Sequence, residues 1–227
     1  MCRYKKIDLE NWCRKEHYLY YTNSLNVEVN MTANIDVSEL LSFCHTNGYK
    51  FYPTLIYCVT KVLNRIDNFK MFKDKNGDLC VWDSLVPNYT IFHEEDHTFS
   101  DCWTDFTDDF DSFYKNITYD MKLGKTKRGI KVKSGQPANF YCVSCTPWTA
   151  FTAVSSRMVN GGAAFFPIIT AGKYDDNYQM PVNITIAHAV ADGYHIGLFF
   201  EYLQEEVSAK CLLSNLSSIV KLNPIEK

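Results

Sequence analysis

The chain has 227 residues, 46% hydrophobic and 22% charged, a globular balance that excludes a disordered or fibrous polymer and suffices for a large core without staples. A net charge of −3 excludes the global basic field that would draw in nucleic acid. The nine cysteines lack a framework spacing, the N-terminus has no apolar signal stretch, and no apolar run approaches the ~18 residues of a membrane span, which together imply reduced thiols in a cytoplasmic protein.

Residues 26–34 alternate, with Val27, Val29, Met31 and Ala33 on one face, as in a half-buried strand. Asp36 and Ser38 are candidate N-caps for a short helix carrying Leu40, Leu41 and Phe43 and stopped by Asn47-Gly48. Pro53 suits the first position of a helix reaching about Ile66, with Ile56, Val59, Leu63 and Ile66 at helical spacing. Asn76-Gly77 marks a turn ahead of a strand from Leu79 to Trp82. His93 and His97 flank Glu94, Glu95 and Asp96, but no second ligand pair lies nearby, so the segment reads as a solvated loop and no metal site is expected.

A second amphipathic helix is predicted over 107–122, with Phe110, Phe113, Ile117 and Met121 on one stripe and Gly124 as its stop. The basic stretch Lys125, Lys127, Arg128, Lys131 and Lys133 reads as a solvated loop in preference to a phosphate site. Strands follow at Phe140 to Cys145, Ala164 to Ala171 and Pro181 to Ala189, then a helix burying Ile196, Phe199, Phe200, Leu203 and Val207. Cys142 and Cys145 form a CxxC, but strand alternation turns the sulfurs to opposite faces, a structural arrangement. The unequal mixture of strands and helices implies an α/β fold, a two-layer sandwich of mixed β-sheet covered by helices, as one domain over 1–227.

The chemistry concentrates at the end of the last strand. The period of two sets His188 on the side of Val182, Ile184 and Ile186, just before Asp192-Gly193 breaks the chain. A histidine so placed is either a satisfied core residue or a base sheltered by apolar neighbours. His188-Ala189-Val190-Ala191-Asp192-Gly193 is an HxxxDG string, and its surroundings resemble the chloramphenicol acetyltransferase family. Collinear blocks extend that resemblance over roughly residues 5–207: 11–17 (Asn-Trp-Cys-Arg-Lys-Glu-His), 49–53 (Tyr-Lys-Phe-Tyr-Pro), 81–84, 89–94, Val143-Ser144 with Pro147-Trp148, and 167–174.

The resemblance implies the following roles. His188 is the general base, Ser144 donates to the tetrahedral oxyanion, and Thr170 positions a water. Asp192 pairs with Arg14 to hold the loop, and Gly193 lets the chain turn. Lys50, Tyr52, Trp148, Lys173 and Tyr174 line the channel for acetyl-CoA, a cosubstrate; no tightly bound cofactor is implied. A small hydroxyl acceptor, chloramphenicol or a relative, is implied on the other side, against Tyr21, Val27, Val29, Phe99, Asp101, Cys142, Val154, Ser156 and Met158. The family is a homotrimer with sites between subunits. His195, in the following helix, is assigned no catalytic role.

The departures fall on the acceptor side. Ala187 replaces the first of two consecutive histidines but faces away from the base. Asp101, Val154, Ser156 and Met158 stand where the family keeps apolar or small residues, and Arg157 could neutralise Asp101 if it turns inward. Three readings follow: acetyl transfer to chloramphenicol, the same transfer to a more polar alcohol, or a degenerate member that binds a hydrophobic ligand.

Overall fold

The computed structural model describes residues 3–157, 162–208, 210–212 and 214. In chain order its elements are β1(Tyr4–Lys6), α1(Lys15–Asn23), β2(Glu28–Asp36), α2(Ser38–Asn47), α3(Phe51–Arg65), β3(Met71–Lys73), β4(Leu79–Trp82), β5(Val86–His93) and β6(Thr98–Trp103). There follow α4(Phe110–Lys125), β7(Phe140–Thr146), β8(Ile168–Gly172), β9(Gln179–Ala187) and α5(Gly193–Glu206). Six strands form one mixed sheet in the order β2-β9-β8-β7-β5-β6, and β1, β4 and β3 form a small antiparallel sheet. Among these strands, parallel pairing joins β5 to β7 and β7 to β8. This is the α/β arrangement of sheet and covering helices that the sequence implies.

The alternation of side chains explains why the helices cover one face. Tyr89, Ile91, Tyr141, Val143, Ile169, Ala171, Val182, Ile184 and Ile186 are all buried in a single core with residues of α3, α4 and α5. Each valine or isoleucine among them contributes about 1.5–3 kcal/mol on leaving water. α3 sits deepest: Thr60 Oγ1 lies 2.7 Å from the Tyr141 hydroxyl, tying the helix to the centre of the sheet. The opposite face carries Asn88, Thr90, Cys142, Ser144, Thr170, Asn183 and Thr185, and is markedly more polar.

Several local expectations shift. Val37, not Asp36 or Ser38, occupies the N-cap of α2, although Asp36 Oδ1 accepts the Ser38 backbone N–H at 2.9 Å. Gly48 ends that helix at φ 72°, where only a residue tolerant of the left-handed region fits easily. Helix α3 begins at Phe51, placing Pro53 third, where its missing N–H still costs no intrahelical bond. Helix α4 begins at Phe110, capped by Asp109, and runs straight through Gly124. That glycine is not a stop. A Cβ there would lie 2.3 Å from Ile91 Cδ1, so it allows α4 to close on β5. Strand β8 starts at Ile168 because Pro167 has no N–H to give to the ladder.

The two predicted solvated loops are exposed over residues 94–97 and at Lys125, Lys127, Arg128 and Lys131, but both are tied down and His93 turns inward. His93 is 2% exposed, with Nε2 2.8 Å from Ser100 Oγ and Nδ1 3.1 Å from Arg128. Arg128 reaches Glu95, Lys131 reaches Asp101, and Lys133 reaches Asp120, so the basic stretch clasps the β5–β6 hairpin and α4 through opposite charges. Among the described residues no helix is long and apolar enough to cross a membrane, and no group of three potential ligands converges on a metal position.

Candidate active site

Strand β9 ends at Ala187, one residue before the histidine. The His188 backbone N–H donates to the Val27 carbonyl at 2.9 Å, the last tie between this chain segment and β2 before the turn. Its Nδ1 lies 3.0 Å from the Ala191 carbonyl oxygen. A carbonyl can only accept, so Nδ1 carries the proton and Nε2 keeps a lone pair. The ring is stacked on Tyr21, with centroids 4.0 Å apart and planes at 26°. The imidazole is therefore fixed in tautomer and in plane by its own loop and by α1.

Asp192 is fully engaged elsewhere. Its carboxylate accepts from Arg14 Nη1, from the Tyr194 backbone N–H at 3.1 Å and from His195 Nδ1 at 2.9 Å. Burial pushes its pKa up, but the Arg14 and His195 hydrogen bonds outweigh it and hold the carboxyl down at about 2. It caps α5 and does not touch His188. Arg14, at the N-cap of α1, has two further guanidinium nitrogens, Nε and Nη2, buried without a partner among the described residues. Gly193 is corrected: it lies outside the left-handed region, and a Cβ would meet Met31 Cε at an ordinary 3.4 Å. His195 is the residue the sequence reading passed over. Its position was the signal, since a polar side chain three residues after an aspartate cap lies within reach of that cap.

Ser144 and Thr170 meet without help. They pair directly across the parallel β7–β8 ladder, and Thr170 pairs with Asn183 of β9. Thr170 is buried and Ser144 half-buried on the polar face. Neither hydroxyl has a hydrogen-bond partner among the described residues. His188 lies five residues beyond Asn183, so at about 3.3 Å per residue and 4.8 Å per strand it stands about 19 Å from Ser144 within the chain.

A cleft of about 770 Å³ opens between the N-terminal end of α3, β5 and the residues after β7. Phe51, Tyr52, Phe92 and Trp148 line it, and it reaches Thr90 and Cys145 next to Ser144. Trp148 packs edge-on against Phe92 at 4.7 Å, and Tyr174 sits 6.2 Å from Phe51. The Tyr52 hydroxyl donates to the Val143 carbonyl at 3.3 Å, and burial pushes its pKa up. Lys50 and Lys173 are exposed near this cleft's α3 end and the Thr149 carbonyl respectively.

The residues expected to line one acceptor pocket do not converge in the chain. Tyr21, Val27 and Val29 stand beside His188 at the β2 edge. Phe99, Asp101 and Cys142 belong to the Ser144 half, on β6 and β7. Val154 is half-buried and Ser156 exposed in the irregular stretch before β8, and Met158 falls outside the described residues. Asp101 is not neutralised by Arg157: Lys131 Nζ is 2.9 Å from its Oδ2, while exposed Arg157 lies with Asn26, Val27 and Glu28 at the other edge of the sheet.

Residues 2–204 match the family model described as chloramphenicol acetyltransferase. The chloramphenicol acetyltransferase of Clostridium perfringens is 39% identical over 209 residues, covering 91% of this chain and 95% of that one. That of Staphylococcus aureus is 38% identical over 205 residues, covering 89% and 94%. A solved chloramphenicol acetyltransferase structure shares the fold at a TM-score of 0.76 and 23% identity, over 91% of this chain and 99% of that chain.

Proposed function

The chain belongs to the chloramphenicol acetyltransferase family, and on that premise we propose that it transfers acetyl from acetyl-CoA to a hydroxyl of chloramphenicol, through a ternary complex without an acyl-enzyme. The observation that carries the chemistry is the His188 tautomer. With Nδ1–H given to the Ala191 carbonyl, Nε2 is free to take the acceptor's hydroxyl proton as its oxygen attacks the thioester carbonyl. The C–O bond forms, and the carbonyl π pair moves to oxygen. Ser144, whose hydroxyl is unengaged, donates to that oxyanion, with Thr170 beside it to hold a water. Collapse breaks the C–S bond, and the proton held on His188 passes to the leaving sulfur. Asp192 takes no part in this relay, being held by Arg14 and His195.

The apolar cleft suits the thiol-bearing arm of acetyl-CoA, led past Trp148 and Tyr52 to an inner end at Thr90 and Cys145, the residue after Ser144, with Tyr174 flanking the entrance. Lys50 and Lys173 would meet phosphate charge outside it. The separation of about 19 Å between His188 and Ser144 supports a site shared between copies, in which the base of one chain serves the oxyanion donor of the next within a homotrimer. Active monomer in sedimentation would refute the shared site. Co-refolding His188→Ala chains with Ser144→Ala chains should restore part of the activity that each lacks.

The test of the activity is thiol release on mixing the protein, acetyl-CoA and chloramphenicol. Release that requires both small molecules is expected. Binding of acetyl-CoA with no acceptor-dependent thiol would leave a binding protein and overturn the transfer.

A further inference from the structure

We propose that this enzyme reads its acceptor alcohol at a second point, through Asn88 and the Asp101–Lys131 ion pair, and so prefers acceptors carrying a neutral hydrogen-bond donor about 6–10 Å from the hydroxyl that is acetylated. This rests on the acetyl-transfer reading above and names the substrate class within it.

Two independent features carry it. Asn88 is 4% exposed and stands across β5–β7 from Cys142, which is two residues from Ser144 on the same face. Its Nδ2 donates to Cys142 Sγ at 3.8 Å, while Oδ1 is buried with no partner among the described residues. Burial pushes the Cys142 thiol up to about 11, so the sulfur remains a weak, neutral neighbour. An orphaned buried acceptor costs free energy until a donor arrives. A wholly apolar acceptor would seal it in; an alcohol bearing an O–H or N–H would satisfy it.

The second feature lies two strands from Ser144. Asp101 pairs with Thr90, and Thr90 follows the residue paired with Val143, so all three polar residues share one row across the sheet. Lys131 donates to Asp101 Oδ2 at 2.9 Å and to Gln136 Oε1 at 3.0 Å. The backbone holds it there: Asp101 N–H donates to the Ile130 carbonyl at 2.7 Å, and Val132 N–H to the Asp101 carbonyl at 3.2 Å. The carboxylate is thus neutralised in place, which removes any preference for a cation while its remaining lone pairs still accept. Both features ask for the same ligand chemistry, a neutral donor.

The experiment compares chloramphenicol with two analogues in which an amine or a methyl group replaces the aromatic nitro group, read by acceptor-dependent thiol release. The parent should favour the amine over the methyl analogue in kcat/KM by roughly ten- to a hundredfold. Asn88→Leu should bring that ratio toward one, and Asn88→Gln, which keeps the amide, should retain part of it. Lys131→Met, leaving Asp101 uncovered, should depress turnover of the methyl analogue more than of the amine. A parent ratio near one, or a ratio that survives in Asn88→Leu, would overturn the inference while acetyl transfer stands. No thiol release with any of the three would instead remove the acetyl-transfer reading, and this inference with it.

Discussion

The loop around His188 and the polar row around Ser144 are built on opposite plans. Nearly every polar atom of the loop is engaged within the chain: Nδ1 of His188 with Ala191, and the Asp192 carboxylate with Arg14, Tyr194 and His195. Along the row, Ser144 and Thr170 have no hydrogen-bond partner among the described residues, and Asn88 Oδ1 is an orphan. On the proposed mechanism His188 must present one nitrogen in one direction before substrate arrives, and its own contacts fix it. The Ser144 side, on the same proposal, must meet an oxyanion, and Asn88 a donor, that only the substrates bring, and its hydrogen-bonding capacity is left open.

The comparison is broken most directly at the base. His188→Ala should lower turnover by several orders of magnitude while acetyl-CoA still binds, because the proposed role of the imidazole lies in the transition state. Turnover within tenfold of the parent, measured by thiol release, would show that the fixed loop serves some other purpose. On the open side, Ser144→Ala should lower kcat by roughly a hundredfold with KM little changed, the pattern of a donor used only as charge develops. A change confined to KM would move Ser144 from the reaction to acceptor binding.

Much of this was legible in the sequence where the pattern is local. The HxxxDG string, the strand carrying Ser144, the stop at Gly48 and the amphipathic α3 all depend on neighbours within a few residues. Gly124 misled because a helix-ending glycine and a close-packing one look alike until Ile91 is brought against it. Lys131 was unreadable as the partner of Asp101: the two are thirty positions apart and meet only because β6 borders the basic stretch. Asn88 carried no signal at all, since an orphaned amide is defined by what surrounds it. His93 failed similarly, its charged neighbours suggesting solvent while Ser100 and Arg128 enclose it.

Arg14 tests how far the loop's order depends on its one long-range tie. Its guanidinium and the Asp192 carboxylate are 178 positions apart and mostly buried. Arg14→Met removes one charge and leaves the Asp192 carboxylate, 29% exposed, with only its Tyr194 and His195 bonds, a loss smaller than the ~3–5 kcal/mol of fully buried pairs. A fall in unfolding free energy should accompany a fall in kcat, while the double variant Arg14→Met with Asp192→Asn should recover stability because neither charge is left alone. If the single and double variants lose equally, packing of the arginine stem, and not the ion pair, holds α1 to α5.

The smallest effect expected concerns pH, and its sign follows from the same pair. Hydrogen bonds from Arg14 and His195 hold the Asp192 carboxyl at about 2, below the ordinary 3.8. The folded state therefore releases this proton more readily than the unfolded chain. The resulting stabilisation, about 2 kcal/mol from a shift of this size, is fully present above about pH 4 and fades as the pH falls toward 2. Other carboxylates also lie below their ordinary values, among them Asp36, Asp96 and Asp109, each through hydrogen bonds to nearby groups. Their contributions are common to the parent and to Asp192→Asn, so the difference between the two proteins isolates the loop. Denaturant unfolding at pH 6 should show the parent more stable, and that margin should narrow steadily below pH 4. A margin that stays constant down to pH 3 would mean that the ionised Asp192 carboxylate is not what separates the two proteins, since an asparagine caps α5 equally well.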